Sequence, residues 1–170
     1  MTTIRLSLLL LVAALFSGCA GYRLGPVDGS VAGSKTVKVT YFQNKTLEPR
    51  IAEYVNHALR KDLQQEGTYA LVTRGDADII IKGEITNYLR SAISFQPGDI
   101  QTARDYQLAM VAKFEAVDTA SGKVVLSKEV NGRITIRTGA DLASAERQAG
   151  PLLARDLADK ITTALTEGAW

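Results

Sequence analysis

Cysteine, histidine and tryptophan each occur once in this chain of 170 residues. A lone cysteine, Cys19, excludes an internal disulfide. Zinc needs three or four Cys, His or carboxylate ligands gathered together, and no such cluster is legible, so no metal or other cofactor is expected. The one histidine, His57, falls on the polar side of a helical stretch and reads as a solvated residue rather than a general base. Gly-x-Ser-x-Gly is absent, and no glycine-rich loop follows a strand and opens a helix. Asp76 and Asp78 stand beside a turn, where paired acids are usually solvated. The chain is therefore expected not to be an enzyme. An excess of charge is missing too: 20 basic residues face 18 acidic ones, which excludes the clustered cationic balance that nucleic acid requires. The longest apolar run, Leu6 to Phe16 with only Ser7 polar, has 11 residues and falls short of the roughly 18 to 20 that a bilayer span needs.

That run does suit the core of an export signal, which takes about 7 to 15 residues. Arg5 supplies the cation before it, and Phe16-Ser17-Gly18-Cys19 places the cysteine directly after two small residues. This reads as a lipoprotein cleavage site. It resembles the bacterial lipoprotein signal, in which lipid is attached to the thiol before cleavage and the new amino terminus is acylated, although Phe16 stands where leucine is usual. Residues 1–18 are then the signal peptide and Cys19 is the lipidated first residue of the mature chain. Buried acyl chains contribute about 0.8 kcal/mol per methylene, so two or three of them hold the protein on a membrane. The same sorting pattern, with Ala20 in place of Asp after the cysteine, points to the outer membrane.

Removing residues 1–18 leaves 152 residues, a size at which one domain buries most of its unfolded surface. From Cys19 to Ser34 the sequence is glycine-rich, holds Pro26, Asp28 and Ser30, and has no apolar period, as expected of a tether or of a loop ordered against the domain. Residues 35–170 carry the periodic pattern of a single domain. Val37 and Val39 alternate with Lys38 and Thr40 in a half-buried strand. Ile51, Val55, Ala58, Leu59 and Leu63 form a helical stripe opposite Glu53, Asn56, His57 and Arg60, and Gly67 ends it. Asp62 lands within that stripe with no helical reason to be there.

Tyr69 to Thr73 predicts a short strand, and Arg74-Gly75-Asp76 a turn. A long strand follows, with Ile79, Ile81, Ile85 and Leu89 on one face and Lys82, Glu84, Thr86, Tyr88 and Arg90 on the other. Pro97-Gly98-Asp99 turns the chain into the most regular stretch, where Tyr106, Leu108, Met110, Ala112, Phe114 and Ala116 make one apolar face. Asp118 to Gly122 closes a second hairpin. In the last strand Val124, Leu126, Val130, Ile134 and Ile136 point inward, with Asn131, Arg133, Thr135 and Arg137 outward. From Asp141 to Glu167 the period returns to 3.6, interrupted at Gly150-Pro151, where the helix either kinks or its main part begins. Trp170 reads as a cap on the core.

The order β-α-β-β-β-β-α with single-faced strands predicts a two-layer α/β (α+β) sandwich: a mixed sheet, two helices packed on one face, and the other face open and polar. An anchored, non-catalytic domain with one open face suits docking to a partner, and fits several kinds of envelope complex.

Several stretches resemble the outer-membrane lipopolysaccharide-assembly lipoprotein family (LptE). They are the signal with Gly21-Tyr22-Arg23-Leu24 after it, Tyr41-Phe42-Gln43-Asn44-Lys45-Thr46 leading to Pro49-Arg50-Ile51, and Ala77 to Ile85 as a strand. The resemblance implies a protein on the periplasmic side of the outer membrane that plugs a β-barrel translocon and binds lipopolysaccharide. The alternatives are a module of another envelope or secretion complex, or an unrecognised periplasmic enzyme. For an anionic glycolipid, strand parity offers the cations Lys82, Arg90, Arg133 and Arg137 on the open face, arginine being suited to phosphate by its planar fork.

Overall fold

The computed structural model describes residues 33–138 and 141–168. Cys19, the signal segment, nearly all of the tether and Trp170 lie outside them. Six strands and two helices follow in chain order: β1 (Thr36–Val39), β2 (Gln43–Asn44), α1 (Ile51–Glu66), β3 (Ala70–Leu71), β4 (Ile79–Gln96), β5 (Asp99–Asp118), β6 (Val124–Arg137) and α2 (Leu142–Glu167). The sheet runs β3-β1-β4-β5-β6, with β2 set against β4 beyond the end of β1. Pairs among β1, β2, β3 and β4 are parallel, while β4-β5-β6 form an antiparallel meander. The fold is the expected mixed-sheet α+β sandwich. Its one unexpected strand is the two-residue β2, in the stretch where the sequence pattern breaks.

The core lies between the sheet and the two helices. Leu108, Met110, Ala112, Phe114 and Ala116 of β5 are all buried, together with Ile79, Ile81 and Ile85 of β4 and the Val55, Leu59, Leu63 stripe of α1. Two glycines let the layers approach. Gly83 faces the Phe42 ring so closely that a β-carbon would sit 2.2 Å from it, so the ring fills the space beneath this strand position. Gly132, in the inward row of β6, meets α2, where a β-carbon would lie 3.0 Å from Leu157 Cβ and 3.1 Å from the Leu153 carbonyl oxygen.

Three readings of the sequence change: Asn56, Val124, which was expected inward but is 51% exposed where the register shifts between Ala116 and Val117, and the outer part of β4. Asn56 is buried, not on the solvent side: its Oδ1 accepts from the Phe42 amide at 3.0 Å and its Nδ2 donates to the Ala52 carbonyl at 2.7 Å. Polarity alone put it outside, but the turn of chain carrying Phe42 needs an inward partner for its amide. Of the two options at Gly150-Pro151, the helix continues: α2 runs from Leu142 through Pro151, and Asp141 caps it by accepting from the amides of Ala143 and Ser144. The third change lies in β4, where the register shifts between Ile85 and Asn87. This bulge inserts Thr86 as an extra residue and exchanges the faces of the residues from Asn87 to Ala92, where the register shifts again. Leu89, expected inside, is 50% exposed, and Arg90, expected outside, points to the helix side.

The outer edge of β6 is occupied by α2. Asp156 accepts from the Arg133 amide at 2.7 Å, and Lys160 Nζ donates to the Asn131 carbonyl at 2.9 Å and to Asp156 at 2.7 Å.

Candidate functional site

The sheet face away from the helices is uncovered by any described element. Strand register fixes which side chains share it: Lys82 stands beside Glu115, Glu84 beside Lys113, Arg133 beside Ala109, and Arg137 beside Asp105. The face therefore has three zones. Near the β5–β6 turn, Lys82, Glu84, Lys113, Glu115 and Glu129 alternate in sign, and Lys113 lies 3.8 Å from Glu129. In the middle, Leu89, Ala109 and Val111 make an apolar strip. Towards the β4–β5 turn the charge is concentrated on one buried carboxylate, Asp105.

Asp105 accepts from Arg137 Nε at 2.9 Å, from Arg104 Nε at 3.0 Å, and from the Ser94 hydroxyl. These bonds, Ser94 first and then the two guanidinium groups, hold its carboxyl far below the usual carboxylate range. The arrangement pins Arg137 through Nε and leaves its terminal nitrogens with no hydrogen bond among the described residues. Two arginines on one carboxylate leave a net positive charge, which favours a phosphate or another acid.

The four cations expected on this face are not brought together. Arg90 is excluded from it by the bulge at Thr86. It pairs instead with Glu146 of α2 at 2.8 Å, next to Tyr88, whose phenol burial and the charges of Glu146 and Glu48 push up to about 12. Lys82 is on the open face, but its partner Glu115 lies six residues along β5 from Ala109 and ten from Asp105. At 3.4 Å per residue that is about 20 Å from the level of Arg133 and about 34 Å from that of Arg137. Arg133 and Arg137 share the face about 13 Å apart, and Arg133 Nε donates to Asn131 Oδ1 at 3.3 Å. Arg104 was not foreseen, because its role depends on which residue of β6 meets Asp105. The signal for it was the adjacent Arg104-Asp105 pair, combined with a hairpin register counted back from the Asp118 to Gly122 turn.

Cys19 lies outside the described residues, so its lipidation is neither placed nor tested by the fold. Among the described residues, no helix is long and apolar enough to cross a membrane.

The family model for lipopolysaccharide-assembly proteins, LptE, matches residues 34–165. A comparison with curated protein sequences gives no match. Among solved structures, the chain is similar to a Xanthomonas campestris protein at a TM-score of 0.61 and 10% identity, over 85% of this chain and 91% of that one. It is similar to a minor lipoprotein of Acinetobacter baumannii at a TM-score of 0.52 and 14% identity, over 78% and 92%. PelC of Paraburkholderia phytofirmans, solved as a dodecamer, matches at a TM-score of 0.52 and 19% identity, over 85% and 93%. At these identities the likenesses speak for the fold alone.

Proposed function

Because the chain belongs to the lipopolysaccharide-assembly family LptE, we propose that it works as an outer-membrane lipoprotein, anchored through Cys19 with its domain on the periplasmic side. In this reading it plugs a β-barrel translocon and binds lipopolysaccharide on its way to the outer leaflet. It performs no catalysis there. The observation that carries the reading is the division of the sheet into a face buried by two helices and a face left open, on which Arg104 and Arg137 converge on Asp105.

The open face combines what an amphiphilic, multiply anionic glycolipid or a polar barrel lumen would meet. The apolar strip of Leu89, Ala109 and Val111 runs alongside Arg133, and the arginine pair stands beyond it. Lys82 and Arg133 complete the candidate contacts on this face, and Arg90 braces the helix layer through Glu146.

Affinity purification of the tagged full-length protein from detergent-solubilised outer membranes tests the assembly. A stoichiometric β-barrel partner is the expected result, and recovery of the protein alone or in a barrel-free assembly overturns it. For the glycolipid, Arg133→Gln combined with Arg137→Gln should weaken lipopolysaccharide binding by the purified protein at moderate salt, with its circular dichroism unchanged. Neutral replacements suit this test better than charge reversal, since a new carboxylate at position 137 would face Asp105. Undiminished binding by the double variant removes the open face from the site.

A further inference from the structure

The two helices lie side by side, and their outer surfaces leave a groove of about 640 Å³ between them. Asp62, which the helical stripe of α1 does not explain, opens onto it. Four carboxylates line the groove, Asp62 and Glu66 from α1 with Asp156 and Asp159 from α2. Two of them are already engaged. Glu66 accepts from the amide and hydroxyl of Thr68, and Asp156 accepts from Lys160 Nζ at 2.7 Å and from the Arg133 amide at 2.7 Å. Asp62 and Asp159 make no hydrogen bond or close ion pair among the described residues, and neither does Arg155, the one cation of the lining. Even with Lys160 and Lys61 counted beside it, the acids outnumber the bases. Burial pushes the Asp62 carboxyl above its ordinary value, Arg155 and Lys61 opposing the push and Asp159 adding to it.

A second observation at the same place is independent of charge. Thr162 lines the groove from α2, is 5% exposed, and has no hydrogen-bond partner for its Oγ1 among the described residues. A buried hydroxyl without a partner is costly and uncommon, so it points to a group that the domain alone does not supply. The α2 side of the groove runs from Leu152, which is 55% exposed, to Thr166. That is about 21 Å of helix, the length of about six residues of extended chain. Among the described residues no acids or histidines gather closely enough to hold a metal ion. The missing charge therefore suits an organic cation, and the length and the apolar end suit one carried on a polypeptide.

We propose that the groove between α1 and α2 is the docking site for an extended basic segment of a partner protein, with an arginine or lysine side chain held by Asp62 and Asp159. Charge complementarity selects this occupant, because a neutral or acidic segment would cover both carboxylates and leave them unpaired. An apolar residue of the segment covers Leu152, and the Thr162 hydroxyl bonds its main chain. The groove belongs to the helix layer, whereas the glycolipid and barrel contacts proposed above belong to the open sheet face. Both surfaces can be occupied at once, and this inference does not depend on lipopolysaccharide binding.

The probe is a fluorescent hexapeptide of one leucine, two arginines and three serines, and its neutral match carries citrulline in place of each arginine. Titrated into the full-length protein in uncharged detergent at moderate salt, the arginine peptide should bind about tenfold more tightly than the citrulline peptide. Asp62→Asn with Asp159→Asn should remove that difference, whereas Glu115→Gln with Glu129→Gln on the open face should leave it intact. Equal binding of the two peptides, or equal losses from the two double variants, overturns the proposal. Displacement of the arginine peptide by an equal concentration of spermidine also overturns it, since the site would then be one for small polyamines. Thr162→Val tests the hydroxyl by a separate route. It should weaken the arginine peptide about threefold while the melting temperature of the free protein stays the same or rises, because the group removed has no partner there. A lowered melting temperature, or undiminished peptide binding, overturns the assignment of Thr162 to the site.

Discussion

The long β4–β5 hairpin is two different objects along its length. At its root, Ile79, Ile81 and Ile85 face Ala112, Phe114 and Ala116 beneath the helices, and all are buried. Its outer arm still carries large apolar residues, yet Leu89, Ile93, Phe95 and Ile100 are exposed, Ile100 by 85%. The root breaks register once, at Thr86, while the arm shifts at three successive places between Ala92 and Gln96. Alternation of apolar and polar residues therefore predicts burial only as far as a second layer reaches. Past that point it predicts a surface waiting for a partner, since monomers seldom leave contiguous apolar patches without a use.

The comparison is broken most forcefully by making one substitution at both ends. Phe114→Ala at the root should cost about 3 to 5 kcal/mol, the range for emptying a buried aromatic site, read as a lowered midpoint of chemical denaturation. Unchanged stability would mean that the two faces of β5 have been exchanged. Next in size is Asn56→Ala, which leaves the Phe42 amide buried without a partner beside the root and should cost roughly 1 to 3 kcal/mol. Asn56→Asp should recover part of that loss above the carboxylate pKa, because an acceptor is restored.

The junction between the two zones is sensitive to acid. Asp105 has a folded-state pKa below its unfolded value of about 3.9, so its stabilising contribution is full above that pH and drains as pH falls further. Acid titration of hydrogen exchange should show the arm around Ser94 and Arg104 loosening below about pH 4 before the root does. Asp105→Asn should abolish that dependence, and identical titrations of parent and variant would remove Asp105 from the account. The smallest effect is the counterpart of the first. Phe95→Ala in the arm should change stability by no more than about 0.5 kcal/mol, and a loss as large as that of Phe114→Ala would show that the arm is packed.

Much of the root was legible in the sequence, and the reasons are local. The stripe of α1, the stop at Gly67, the turns at Pro97-Gly98 and Asp118 to Gly122, and the inward row of β5 all follow from period and turn chemistry. The bulge at Thr86 carries no glycine or proline to announce it, so a strict period of two ran on to misplace Leu89 and Arg90. Asn56 was misplaced because its partner, the Phe42 amide, is 14 residues away and polarity by itself says nothing of distant donors. In the candidate site, parity correctly gave the side of Lys82, Arg133 and Arg137. It could not give their separation, nor the grip of Asp105 on Arg104 and Arg137, because both depend on cross-strand register.

The two bonds from α2 to the rim of β6 bear on how the chain is made. The helix leaves the ribosome after every strand of the sheet, so until then the nascent chain offers both a greasy sheet surface and a strand rim able to recruit a neighbour. Asp156 and Lys160 occupy that rim in the same event that covers the surface. Arrival of α2 therefore turns a sheet that can template further pairing into one that stands alone, and a chain truncated before it would lose its solitude along with its core.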